Sequence, residues 1–383
     1  MNTLPLGDIS LEVFLRDYWQ KKPLLIRNAF PDFIPPVSAE ELAGLALEEE
    51  IESRLIIQSD DGADWQLQHG PFEEEIFSTL PEKNWTLLVQ SVDHWLPEAA
   101  EFVSQFNFIP SWRLDDLMIS YAADGGGVGP HYDNYDVFLV QASGTRRWEV
   151  GGIYGEDSPR RPDTPVMILP EWQPEESWDL NPGDMLYLPP RVGHNGFGVG
   201  DDCMTYSIGF RAPSHQEIFE GLANHIATLS KAEDRYSDPD LTAQPNPGEI
   251  TPAAVQQVSE ILNSYLNQPG ALSRWFGQLM TEPKNPEQNV DQNIEMRSDE
   301  IKDLLTDQVP LSRTEGSRLA FHQEDGNMVL FYDGEVHNCS EAQHELAQQL
   351  CGELYLEQVE PTEENIQLLG ILLNQGSIYF LEE

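Results

Sequence analysis

Between about Asp115 and Arg211 the chain is a succession of short apolar runs, at residues 117–119, 137–140, 146–150, 166–169, 185–188 and 204–210, separated by turn-forming residues. No such run can bury its faces alone, and many short strands at fairly even spacing predict a closed all-β sandwich or barrel. On both sides the period changes to that of helices. Leu11, Phe14, Leu15 and Tyr18 fall at helical spacing within residues 10–22, Pro23 ends the run, and Leu24, Leu25 and Ile26 read as a strand. Ser38 and Glu41 fit a capping box ahead of Leu42. After Pro213, a stripe of Ile218, Leu222, Ile226 and Leu229 marks a helix over 215–229, and Thr251-Pro252 starts another carrying Val255, Val258, Leu262 and Tyr265. Paired helices of this kind cover a barrel or meet a second subunit, and periodicity leaves both open. Residues 282–293 are polar and proline-broken and read as a linker. The remainder alternates helices (298–306, 341–351, 364–373) with a hairpin over 328–337 turning on Asp333-Gly334, a small α+β unit.

The apolar share of 40% in 383 residues is ample for two or three cored domains. With no leader-like amino terminus and no window of about eighteen apolar residues, a soluble cytoplasmic protein is expected, with no membrane partner. Cys203, Cys339 and Cys351 are few, odd in number and far apart, so they read as reduced thiols. The formal charge of -45 repels nucleic acid phosphates and favours a basic polypeptide as partner, although acidity also serves solubility alone.

Chemistry enters at GGGVGPHYDNYDVFLV, residues 125–140, where a glycine run meets an apolar run with His131 and Asp133 at the seam. Residues two apart on an extended chain face the same side, so an imidazole and a carboxylate can address one point, a pairing suited to a redox-active divalent ion. Two other His-x-acid triplets exist. His215 opens a helix, where such positions diverge, and His322 is expected in a polar turn. The third ligand expected is His194, after the turn Pro182-Gly183-Asp184, a buried strand and the bend at Pro189-Pro190. A lone histidine there is more often structural, but early and late strands become neighbours when a barrel closes. An open three-ligand iron centre needs an electron-donating cosubstrate, usually 2-oxoglutarate, whose far carboxylate calls for an arginine fork. In TRRWEV, Arg146 shares parity with the inward Trp148 and Val150, and Arg147 with Thr145 and Glu149, so Arg146 is the expected anchor and Arg147 a solvated charge.

The order His-x-Asp, Arg, distal His, the opening FLRDYWQKKPLLIRNAF and the long stretch DDLMISYAADGGGVGPHYDNYDVFLVQASGTRRWEV resemble the JmjC-type ribosomal oxygenases, in particular their bacterial arginine-hydroxylase branch. The resemblance covers nearly the whole length. It implies a mixed fold: a double-stranded β-helix (jelly roll, JmjC/cupin-like) with flanking helices at 1–212, a helical dimerisation region at 213–290 and a winged-helix-like α+β domain at 291–383. It implies iron(II) at His131, Asp133 and His194, 2-oxoglutarate at Arg146, molecular oxygen, a homodimer, and β-hydroxylation of an arginine in large-subunit ribosomal protein sixteen. Asn195 departs from the glutamate that some relatives carry beside the distal histidine. Within this reading the run Gly125–Gly129 admits a substrate backbone, closes over it or merely connects. Asp124 is a candidate partner for a substrate guanidinium, and Ser120 and Ser207 are candidates for hydrogen bonds to the cosubstrate. The same centre would serve histidine hydroxylation or demethylation of a basic tail. A non-catalytic alternative, an acidic binding protein whose winged helix grips nucleic acid, is disfavoured by the few basic residues there (Lys302, Arg313, Arg318), and no direct nucleic acid binding is expected.

Overall fold

The structure, a computed structural model, describes residues 4–285 and 296–381; most of the expected linker, 286–293, lies outside the described residues. Two compact units result, one up to Ala212 with short stretches at 313–316 and 352–354, the other comprising the rest. The described part of residues 213–290 and the C-terminal segments fall into one unit.

In the first unit, Ser10 caps α1 (Leu11–Asp17) by accepting the Val13 N–H. The helix stops short of Lys22 because Gln20 turns left-handed (φ 57°) and its N–H donates to Tyr187 Oη at 2.7 Å. Strand β1 (Leu24–Ile26) follows, then α2 (Ala39–Leu45) with the Ser38–Glu41 capping box formed. Strands β2 (Ser53–Gln58), β3 (Trp65–His69) and β4 (Trp85–Val89) and helices α3 (Glu75–Thr79) and α4 (Pro97–Ser104) lead into β5 (Leu114–Ala122), β6 (Asp136–Ile153), β7 (Glu176–Leu180), β8 (Met185–Leu188) and β9 (Val192–Phe210). All pairings between these strands are antiparallel, in the order β1-β8-β6-β9-β5-β4-β2-β3 with β7 on β6, the expected double-stranded β-helix. Both faces of β6 are buried. Phe138 and Val140 join an aromatic core with Phe14 and Tyr187, while Val137 and Leu139 face a second cluster with Trp148 and Val150.

Two expectations change. The runs at 137–140 and 146–150 are one strand, whose register against β9 shifts around residues 141–145; there Gly144 (φ 59°) passes so close to the Asp202 carbonyl that a side chain has no room. Residues 166–169 form no strand. Pro165 precedes them, and the backbone is satisfied instead by Arg161 N–H to Ile168 O and Leu169 N–H to Pro130 O, both 2.8 Å.

In the second unit, α5 (His215–Leu229) and α6 (Pro252–Leu266) start at the side-chain caps of Ser214 and Thr251. Helix α7 (Ala271–Thr281), which apolar spacing did not flag, leads on to α8 (Ser298–Thr306). Strands β10 (Leu311–Arg313), β11 (Leu319–Glu324), β12 (Asn327–Tyr332) and β13 (Glu335–Cys339) follow, then α9 (His344–Gly352), β14 (Tyr355–Leu356), α10 (Glu363–Gln375) and β15 (Ile378–Phe380). Asp333 and Gly334 both have positive φ, as a two-residue hairpin turn requires, and His322 lies on β11 rather than in a turn. Among the described residues no helix is long and apolar enough to cross a membrane.

Candidate active site

His131 and His194 face each other across an isolated antiparallel bridge, each N–H donating to the other's carbonyl at 2.9 and 2.8 Å. This brings their ring centroids to 4.2 Å. His131 Nδ1 lies 2.8 Å from Gly129 O and His194 Nδ1 3.0 Å from Val192 O. A carbonyl only accepts, so each Nδ1 carries the hydrogen and each Nε2 keeps its lone pair. Both Nε2 atoms face Asp133 Oδ2, at 3.9 and 3.5 Å, and all three donor atoms lie within 4.8 Å of one another. Burial, with the neighbouring His194, lowers the His131 imidazole to about 4. Burial pushes the Asp133 carboxyl up, but contact with the His194 ring, the charge that His131 carries at low pH and a hydrogen bond from Tyr135 outweigh it and hold it at about 2. Near neutral pH the site therefore offers a neutral imidazole at His131 and a carboxylate at Asp133. With the free Nε2 of His194 this is a donor set that fits a divalent ion held on one face with the other left open.

These residues line a cavity of about 310 Å³ that also contains Arg146, Ser120, Thr205 and Ser207. Arg146 is 3% exposed, and Arg147 beside it lies outside, paired with Asp179 at 2.6 Å. Among the described residues the guanidinium bonds only neutral groups: Ser120 Oγ at 3.3 Å, Thr205 Oγ1 at 3.5 Å and Gly196 O at 3.2 Å, with the Cys203 thiol nearby and the Trp148 ring 5.2 Å away. Its Nε has no partner among the described residues, and burial shifts the group below its usual range. A buried cation without a carboxylate is costly, so an arginine kept here fits an anionic ligand entering the same cavity. Thr205 was missed by sequence reasoning; its place two residues before Ser207 on β9 was the available signal.

Other candidates fare differently. Asp124 is exposed, its carboxylate accepts the Gly200 N–H at 2.8 Å, and it is not among the cavity-lining residues. This bond ties Asp124 to Gly200 on β9. The glycine run is wedged in place: a Cβ on Gly126 would meet Trp85 O at 1.9 Å, one on Gly127 would meet Gly196 O at 2.4 Å, and Gly125 N–H donates to Gly198 O at 3.0 Å. Its glycines serve close backbone approach to the sheet. Asn195 donates to Glu149 Oε2 at 3.0 Å, the same oxygen that accepts Trp172 Nε1–H.

The JmjC domain model matches residues 101–218, and the model of a ROXA-like winged helix matches residues 264–379. The ribosomal protein uL16 3-hydroxylase of Escherichia coli (strain K12) is 39% identical over 309 residues, covering 80% of each chain. The chain belongs to the JmjC ribosomal oxygenases. The probable ribosomal oxygenase of Haemophilus influenzae is 41% identical over 235 residues, 61% of this oxygenase and 55% of that protein. Among solved structures, E. coli YcfD superposes with a TM-score of 0.88 at 33% identity, over 98% of this chain and 99% of that one. The same enzyme in complex with cobalt and 2-oxoglutarate gives 0.85 with the same coverage. This oxygenase is accordingly an iron(II)- and 2-oxoglutarate-dependent enzyme that consumes molecular oxygen.

Proposed function

We propose that this oxygenase hydroxylates the β-carbon of an arginine in the basic ribosomal protein uL16, with His131, Asp133 and His194 holding the iron and Arg146 the far carboxylate of 2-oxoglutarate. The supporting observation is one cavity that holds a two-histidine, one-carboxylate cluster and a buried arginine without an acidic partner, in a chain 39% identical to a uL16 3-hydroxylase. When bound, the metal couples decarboxylation of the keto acid to succinate and carbon dioxide with insertion of one oxygen atom into a C–H bond. The protein fixes the ligand tautomers through Gly129 and Val192, seats the diacid, and presents the target stem between apolar walls that limit water. A net charge of -45 speeds capture of a cationic protein. Mass spectrometry of uL16 incubated with the enzyme, 2-oxoglutarate and ferrous iron should show one added oxygen on an arginine at Cβ. An added oxygen on histidine, or loss of a methyl group, would instead favour the alternative substrates.

The helical region supports a second reading. Phe219 on α5 is 71% exposed, and Val255, Val258 and Leu262 on α6 are each about half exposed, apolar area that a monomer leaves in water. We assign these faces to a homodimer; light scattering should give twice the chain mass at micromolar concentration, and a monomer mass would rule the assignment out.

A further inference from the structure

The loop at 161–169, within which a strand was expected at 166–169, supplies Pro165, Val166 and Met167 to the wall of the active cavity. Its near end is fastened from outside by Arg161. Arg161 forks onto two successive carbonyls of the β2–β3 turn, Nη1–H to Gly62 O at 3.2 Å and Nη2–H to Ala63 O at 2.5 Å. That turn is itself braced, since the Asp61 carboxylate accepts from Ser59 Oγ and the Ala63 N–H at 2.7 and 3.0 Å. Internally the loop is closed by Arg161 N–H to Ile168 O and braced by Thr164 Oγ1–H to Val166 O, both 2.8 Å. Its far end reaches the metal-ligand segment: Leu169 N–H donates to Pro130 O, and buried Ile168 packs on Gly129, whose carbonyl fixes the His131 ring.

We infer that Arg161 is a positioning residue: it holds loop 161–169 as the wall that seats the aliphatic stem of the protein substrate's target residue. The inference rests on the reading of the enzyme as a ribosomal protein hydroxylase. An arginine fork suits two adjacent carbonyls, which a lysine can address only singly. The residues that the loop puts into the cavity, Pro165, Val166 and Met167, have no charged or hydroxyl group for the keto acid, so losing the fork should disturb the protein substrate and spare the cosubstrate.

The test compares wild type, Arg161→Ala and Arg161→Lys in the iron-loaded enzyme with uL16. For Arg161→Ala the expected result is a rise of about tenfold in KM for uL16, with KM for 2-oxoglutarate changed less than about twofold, and an intermediate value for Arg161→Lys. Hydrogen exchange should show faster exchange of the backbone amides at positions 161 and 169 in Arg161→Ala while amides of β6 stay protected. An unchanged KM for uL16, or equal losses for uL16 and 2-oxoglutarate, overturns the inference while a working wild type keeps the functional reading. A wild type that leaves uL16 unmodified overturns both.

Discussion

Alanine at His131 or at Asp133 is expected to lower succinate formation by about a thousandfold or more and to abolish retention of the metal, with the fold preserved. Two donors remaining of three cannot hold an open-faced ion in competition with water. The fold should survive because His131 stands outside the strands, before β6, and its bridge to His194 is made by backbone atoms, which alanine retains. Metal content of the dialysed proteins and a thermal melt decide the matter together: retained metal with full turnover in either variant would remove that residue from the ligand set. The proton obeys the same geometry. With the His131 imidazole held at about 4, protons compete with a metal for its Nε2 only below that pH, where its share of the affinity should fall roughly tenfold per unit.

Replacing Arg146 by methionine should raise KM for 2-oxoglutarate about a hundredfold, the loss expected when a buried bidentate guanidinium–carboxylate pair cannot form. The cosubstrate-free variant should be no less stable than wild type. In the structure Arg146 is a buried cation whose hydrogen-bond partners are hydroxyls and a carbonyl at 3.2 to 3.5 Å, so removing it relieves a desolvation penalty that no ion pair offsets. Denaturant melts with and without 2-oxoglutarate check both halves. A stability loss of several kcal/mol without cosubstrate, or an unshifted cosubstrate titration, would mean that Arg146 is a structural residue and that the diacid is anchored elsewhere.

Much of the local structure was legible because it is governed by contacts within a few residues. The caps at Ser38 and Thr251 bond N–H groups three positions on, and the Asp333-Gly334 hairpin depends on two adjacent dihedrals. The loop at 166–169 misled because an apolar run is shared by strands and by loops that cover a cavity; only the absence of a neighbouring strand distinguishes them. The partners of Asp124 and of the glycine run were hidden for a related reason. A carboxylate or a flexible segment in sequence says nothing about the N–H or carbonyl that will occupy it, and here the partners, Gly200 and Trp85, come from distant parts of the chain.

By itself the sequence determined the donor types, the spacing of His131 and Asp133, and the side of its strand on which Arg146 lies, since alternation along an extended segment is a property of the backbone alone. Tertiary structure decided that these sides meet. On β6 the cavity is lined first by Val137 and Leu139 and then by Arg146 and Trp148, odd positions giving way to even, and on β9 by His194 and then by Thr205 and Ser207. Strict alternation forbids this. The register shifts between residues 141 and 145 of β6 and their partners on β9 exchange the faces of both strands, and such shifts are set by pairing between strands some sixty residues apart, which no local pattern records.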